Sequence, residues 1–390
     1  MESVDPGLLF QRLLDVVERT PDDIEDAFSH ELSNLPTTLF DTSVLPRLEN
    51  KSIFAQYLWD STSQESARLP DNVCFVIDGG SLLHRLPWPQ DSTFNQLVEM
   101  YTHHVVRTYV SPVIVFHGYS GYPSTKDIAH MRRTNGGNIS TDIAFQGDMV
   151  LTDSKERFLR NPSNKQRFIR ILSSALQLQE IKTHHASADA DCLILKTLDT
   201  AIHGDAVLIC EDTDFLVLLV FHSSAEHNRV FMRSSTFKCD VRIWDIKQVQ
   251  GALGPNLCKY ILFAHAIGGC DTTSSLFGIG KSLPLKCLKD SSAFKENAHI
   301  FMLSSNHEQI IAAGEGALVV LYGGKPHDTL NKFRHVKYMQ KLATSRSSLQ
   351  PNKLPPTSAA AKFHSFRTYF QVQEWRNANN AQAFTLDPED

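Results

Sequence analysis

The chain lacks the roughly 18-residue apolar run that a membrane-crossing helix needs. Its opening residues, MESVDPGLLFQRLLDVVERT, are acidic and amphipathic instead of basic and then apolar. Neither a membrane span nor a secretory leader is expected. Cysteine is sparse, with seven in 390 residues at 74, 192, 210, 239, 258, 270 and 287, and no C-x-x-C pair. That gives no zinc-knuckle signature and fits reduced thiols in an intracellular chain, nuclear or cytoplasmic. Charge of one sign is missing too: 38 Lys and Arg stand against 43 Asp and Glu, a net charge of −5. With no global basic signal, any nucleic-acid surface has to be local. The glycine-rich stretch AAGEGALVVLYGG at 312–324 has neither the Lys nor the Ser/Thr of a nucleotide phosphate loop and reads as helix and turn. No Ser-His-Asp or Cys-His arrangement can be assembled from local sequence.

What is present is enough apolar material, 42 % of the residues, for one large core with helical additions. Residues 1–69 read as helical and accessory, with Leu8, Leu9, Leu13, Leu14 and Val17 on one helical face. At 73 the texture changes. VCFVIDGG is a short β-branched run stopped by an Asp and two glycines, PVIVFHG is a second such run and VLICED a third. Helical patterns separate them: STFNQLVEMYTHHVVRTY, then SALQLQEIKTHHA as a helix with a trailing segment. Alternation of this kind predicts an α/β layer with a twisted, mainly parallel sheet whose functional residues gather beyond the carboxyl ends of the strands.

Acids occur at those ends. Asp78 closes CFVID, and Glu211 and Asp212 close VLIC, so both groups are expected at one edge of the sheet. If the exit segment is extended, Asp212 and Asp214 point the same way. Asp189 and Asp191 precede an apolar helix that Ser187 is placed to cap. Asp271 lies in HAIGGCDTTSSLFGIGK. Singly each acid has an ordinary alternative: Asp189 as a complement to a helix N-terminus, Asp78 in a Gly turn, Asp271 as a cap. Together they suit two Mg²⁺ or Mn²⁺ ions, because oxygen-only donor sets select hard cations and like charges this close need compensation.

The motifs FVIDGG, VFHGYSGYPSTKDIAHMRR, ASADADC, CEDTDFLVLL and GGCDTTSSLFGIGK, in that order, resemble the PIN-like nucleases of the flap endonuclease and XPG group over roughly residues 73–290. GCDTTS-x-LFGIGK and LPPTS further resemble an animal group of PIN-like proteins. The resemblance implies a PIN-like core at 70–255, flanked by an N-terminal helical extension at 1–69. A helix-turn-helix region that grips DNA backbone follows at 256–300, and a C-terminal helical extension at 301–390. It implies a metal set of Asp78, Asp189, Asp191, Asp212, Asp214 and Asp271. One position departs: His117 stands where the family has a metal-ligating Asp, which puts activity or metal preference in question.

The loop after that strand carries Lys126, Arg132 and Arg133. By resemblance it begins a helical arch in which Lys126 and Arg133 steady the scissile phosphate and Arg132 adds a nucleic-acid contact. Gly278, Gly280 and Lys281 match the turn of the helix hairpin that holds duplex backbone, with a monovalent cation expected there. ERFLRNPSNKQRFIR is a local basic run whose Phe158 and Phe168 are expected to face the core. The adjacent pairs His103–His104 and His184–His185 lack ligand spacing and read as surface or packing residues. SSLQPNKLPPTS reads as a linker, and Phe363, Phe366, Phe370 and Trp375 as the docking face of a last helix. The expectation is a metal-dependent, structure-selective nuclease acting by a two-metal mechanism on branched or flap DNA, with RNA as the alternative substrate. The alternatives are a catalytically silent nucleic-acid-binding scaffold, and a small-molecule phosphatase whose D-x-D-x-T nucleophile is missing.

Overall fold

The three apolar runs do form strands, and in the computed structural model they lie side by side: β1 is Val73–Asp78, β2 Val113–Phe116 and β4 Asp205–Ile209. The structure describes residues 27–31, 35–41, 45–118, 140–186, 190–200, 204–224, 228–234, 241–344 and 354–379. Three further strands were not expected: β3 Lys182–His185, β5 Val230–Arg233 and β6 Ile243–Asp245. The sheet order is β3-β2-β1-β4-β5-β6, parallel throughout except for the antiparallel β5–β6 pair. This is the α/β class that the sequence predicts.

β3 escapes sequence reading for a physical reason. Its residues, KTHH, are mostly exposed at the sheet edge, so no apolar alternation marks it. The trailing segment of the SALQLQEIKTHHA pattern is therefore a strand, held to the preceding helix Pro162–Leu178 by Ser173 Oγ, which lies 2.6 Å from Thr183 Oγ1 and 2.9 Å from His185 Nε2.

The chain forms two compact units. One runs from Leu58 to Ala252; the other holds Leu253–Asn377 and the described residues up to Tyr57. Residues 256–300 and the described residues of 301–390 up to Asn377 thus share one unit with the described residues up to Tyr57. The amphipathic segment around Leu8–Val17 lies outside the described residues.

In the sheet unit the core gathers Ile77, Leu97, Tyr101, Ile114, Phe116, Phe158, Phe168, Leu172 and Val207 on the helices Phe94–Thr108 and Pro162–Leu178. Phe158 and Phe168 face inward as expected. Thr93 starts the first of these helices with a capping box to Gln96.

The other unit is helical. Pro255–Ile267, Leu283–Asp290, Ser292–Phe301, His307–Leu321 and Ser358–Arg376 pack around Phe263, Phe294, Phe301 and Leu318. The stretch 312–324 is helix and turn, as read from the sequence. The expected linker ends in residues that are packed instead: Leu354, Pro355, Pro356 and Thr357 are buried, and Thr357 caps the last helix by accepting from the Ala360 N–H.

Candidate metal centre

Strand order defines where the site sits. From β1 the chain steps outward to β2 and β3, then returns to the other side of β1 and continues to β4 and β5. The reversal falls between β1 and β4, and crevices at such a switch point open beyond the carboxyl ends of the strands. Ile77 pairs with Ile209, so the next residues, Asp78 and Cys210, leave the sheet level with each other.

Asp78 is 5 % exposed and is the N-cap of the helix Gly79–Arg85. Its Oδ1 accepts from the Gly80 N–H at 2.9 Å; its Oδ2 accepts from the Ser81 N–H at 3.1 Å and the Ser81 hydroxyl at 2.7 Å. The Cys210 thiol is directed at Oδ2 from 3.6 Å, and His117 Nε2 lies 3.6 Å from Oδ1. Burial pushes the carboxyl pKa up, but His117, Ser81 and the Gly80 N–H outweigh it and hold Asp78 at about 2. The group is a carboxylate at neutral pH. The glycine after it is required by packing: a Cβ at Gly79 would stand 2.3 Å from the Phe116 ring at the end of β2.

Asp212 and Asp214 meet, though by a different route from the one expected. The segment after β4 is not extended through Asp214. Asp212 is instead the N-cap of the helix Thr213–His222, and its Oδ1 accepts from the Asp214 N–H at 3.0 Å. Each offers a carboxylate oxygen within 4.8 Å of the other, and Asp214 is 2 % exposed. Asp191 opens the helix Asp191–Thr200 and is buried.

His117 follows β2 and accepts at Nδ1 from the Ala190 N–H at 3.3 Å, next to Asp191. Cys210 and Ser81, which the sequence reading passed over, tie β1 to β4. The Asp212 N–H donates to Cys210 Sγ at 3.3 Å and the Glu211 N–H to Ser81 Oγ at 3.3 Å. The D-G-G-S spacing of a helix start was the signal that could have found Ser81.

Asp189, with its expected cap Ser187, and the arch residues Lys126, Arg132 and Arg133 lie outside the described residues. Asp271 belongs to the helical unit, where it is 2.9 Å from Lys51 Nζ. In that unit Gly278 has φ +78, the left-handed conformation that favours glycine, and open space lies where a Cβ would sit at Gly278 and Gly280. Lys281 corrects the expectation placed on it. It is 1 % exposed, and its ammonium donates to the carbonyls of His265, at 2.7 Å, and Gly269, so the turn itself consumes the charge expected to reach a phosphate.

The donor chemistry fits a hard divalent cation. Asp212 and Asp214 supply oxygens only, and two carboxylates this close in a mostly buried setting favour a cation between them. Asp78 fits less simply, because five donors already surround its two oxygens and only the contacts from His117 and Cys210 are long.

No protein-family model and no curated protein matches the sequence. Solved structures do. The catalytic core of Rad2 in complex with DNA substrate is similar over 83 % of this chain and 85 % of its own, with a TM-score of 0.42 and 15 % identity. In another Rad2 complex the match covers 60 % of this chain and 66 % of that one. The T5 D15 protein co-crystallised with metal ions matches over 79 % and 91 %, with a TM-score of 0.39 and 13 % identity. Flap endonuclease-1 from Methanococcus jannaschii matches over 86 % and 99 %, with a TM-score of 0.37 and 11 % identity. These likenesses stand at 11–15 % identity and TM-scores of 0.37–0.42.

Proposed function

We propose that the protein is a divalent-metal-dependent hydrolase of phosphodiester bonds in nucleic acid, with branched or flap DNA as the substrate and RNA as the alternative. The observation that carries the reading is the meeting of the Asp212 and Asp214 carboxylates beyond the carboxyl end of β4, at the switch point of a parallel sheet, with Asp78 at the exit of β1 linked to them through Cys210. The nucleic-acid part rests on the order of the sequence motifs. The carboxylate oxygens of Asp212, Asp214 and Asp191 hold the ions, and by the order of the sequence motifs Asp189 and Asp271 belong to the same metal set. Bound Mg²⁺ or Mn²⁺ supplies Lewis-acid charge at the phosphoryl oxygens. Asp78, ionised and fixed by its donors, keeps the exits of β1 and β4 in register. Lys126, Arg132 and Arg133 steady the substrate phosphate, and the open backbone at Gly278 and Gly280 takes duplex backbone, beside a monovalent cation. The reading places the protein inside the cell, in nucleus or cytoplasm. No helix among the described residues is long and apolar enough to cross a membrane.

The test is a cleavage panel of flap, gapped, hairpin and single-stranded substrates, with Mg²⁺, Mn²⁺ or chelator, for the wild type and Asp212→Asn. Metal-dependent cutting that the variant loses is expected; no cutting, with the two proteins alike, would falsify the enzymatic reading. A second reading, a nucleic-acid-binding scaffold without catalysis, draws on the crowding of donors around Asp78. It predicts salt-sensitive binding of branched DNA with no product.

A further inference from the structure

We infer that His117 is a positioning residue for Asp78 and for the start of the helix Asp191–Thr200, and that its imidazole is not a ligand of the cation; this rests on the metal-dependent reading above. The backbone N–H of Ala190 can only donate, so the Nδ1 it meets at 3.3 Å is the bare, accepting nitrogen of the ring. A neutral ring with Nδ1 bare carries its proton on Nε2, and Nε2 is the atom 3.6 Å from Asp78 Oδ1. One nitrogen accepts and the other faces a carboxylate as a donor. A ligating imidazole needs its bare nitrogen aimed at the ion, and here that nitrogen faces a peptide N–H.

The ring therefore joins three chain ends: the exit of β1 at Asp78, the exit of β2 on which it stands, and the entry to the helix that begins with Asp191. It also packs on the turn after β1, since a Cβ at Gly80 would lie 3.7 Å from His117 Cδ2. A carboxylate at 117 could accept from Ala190 but could not donate to Asp78, and it would set like charges side by side. With histidine there, the donors left for the cation are oxygens alone. The site then selects Mg²⁺ or Mn²⁺, and the imidazole confers no preference for Zn²⁺.

Two measurements on the full chain test this. Ring-¹⁵N NMR of the metal-free protein, with His117→Gln used to identify the resonance, reads the tautomer. A neutral ring protonated at Nε2 is expected, and a neutral ring protonated at Nδ1 overturns the inference whatever the protein does to nucleic acid. Pulsed EPR of the Mn²⁺-loaded chain should show no directly bound nitrogen that vanishes in His117→Gln; a coupling that does vanish overturns it. By Mn²⁺ titration, His117→Ala is expected to weaken binding about tenfold or more, as loss of an outer-sphere partner does. His117→Gln, whose amide presents an acceptor and a donor at about the spacing of the two ring nitrogens, is expected to stay within about threefold of wild type. Equal losses in both variants count against positioning by a donor–acceptor pair. A chain that binds no Mn²⁺ sinks the metal-dependent reading, and the tautomer still decides the role of His117.

Discussion

The two units bury opposite charges. In the sheet unit the buried charged residues include the acids Asp78, Asp191 and Asp214, each at the start of a helix, and the Gly80 and Ser81 N–H groups donate to Asp78. In the helical unit they include the cations Lys281 and Arg334, held by peptide carbonyls: His265 and Gly269 for the first, Pro355 for the second. Backbone amides serve anions and backbone carbonyls serve cations, but the remainders differ. A carboxylate has about four lone-pair sites, so backbone N–H groups alone do not exhaust what it can offer a metal ion. A lysine spent on two carbonyls inside a turn has little left for a phosphate. The contrast separates a charge that serves a ligand from a charge that serves the fold.

Asp214→Asn should break the comparison most visibly. Removing one of the two clustered carboxylates is expected to lower metal-dependent cleavage on the order of 10³-fold, about 4 kcal/mol of transition-state stabilisation, with little change in the denaturation midpoint. A variant that cuts normally but unfolds early would make Asp214 a structural ion like those of the other unit.

Lys281→Met should do the reverse. Leaving two carbonyls without their charged donor at a site 1 % exposed is expected to cost about 3 kcal/mol in urea unfolding. Its effect on DNA affinity should be small. Unchanged stability with a salt slope of binding shallower by about one would return Lys281 to the phosphate-gripping role that its motif suggested.

How far the sequence could be read follows the same division. β1, β2 and β4 are buried between neighbours, so they read as apolar runs, and the acids that close them stand out by contrast. β3, with KTHH on an exposed edge, carries no such pattern and owes its existence to pairing with β2. Strand geometry places Asp212 and Asp214 side by side, whereas in the structure a helix cap brings them together. Lys281 was misjudged because a Gly-x-Gly-Lys turn looks the same in sequence whether its lysine faces out or in. The direction is set by where unsatisfied carbonyls lie, and those come from residues 12 and 16 positions earlier.

A smaller effect is expected from pH. His364 is buried in the helical unit and pushed down to about 4 by that burial; the Ile267 carbonyl, 3.0 Å from Nε2, works against the shift, and the charge of Arg367 adds to it. The unfolded chain takes up the proton near pH 6.5 and the folded chain only near 4. Between those values the unfolded state binds more protons, so stability falls as pH falls. About 1 kcal/mol should be lost between pH 6.5 and 5.5, and His364→Gln should remove that part of the slope in denaturant titrations at the two pH values. A slope that is unchanged in the variant would assign the acid sensitivity elsewhere.

The smallest expected effect concerns the last helix, where periodicity placed Phe363, Phe366, Phe370 and Trp375 together on a docking face. Trp375 is buried, whereas Phe363 is 61 % exposed, with Lys362 Nζ 6.0 Å from its ring. The helix Ser358–Arg376 buries Ala361, His364, Ser365, Thr368 and Val372, small and polar positions that let it lie close to its neighbours. Its inward face is therefore not the aromatic one, and a helical period read from large residues alone picks the wrong stripe. Phe363→Ser is expected to shift unfolding by no more than about 0.5 kcal/mol, as for a surface substitution. A loss near the roughly 3 kcal/mol of a core aromatic would mean that Phe363 is covered in solution, and that the sequence had the docking face right.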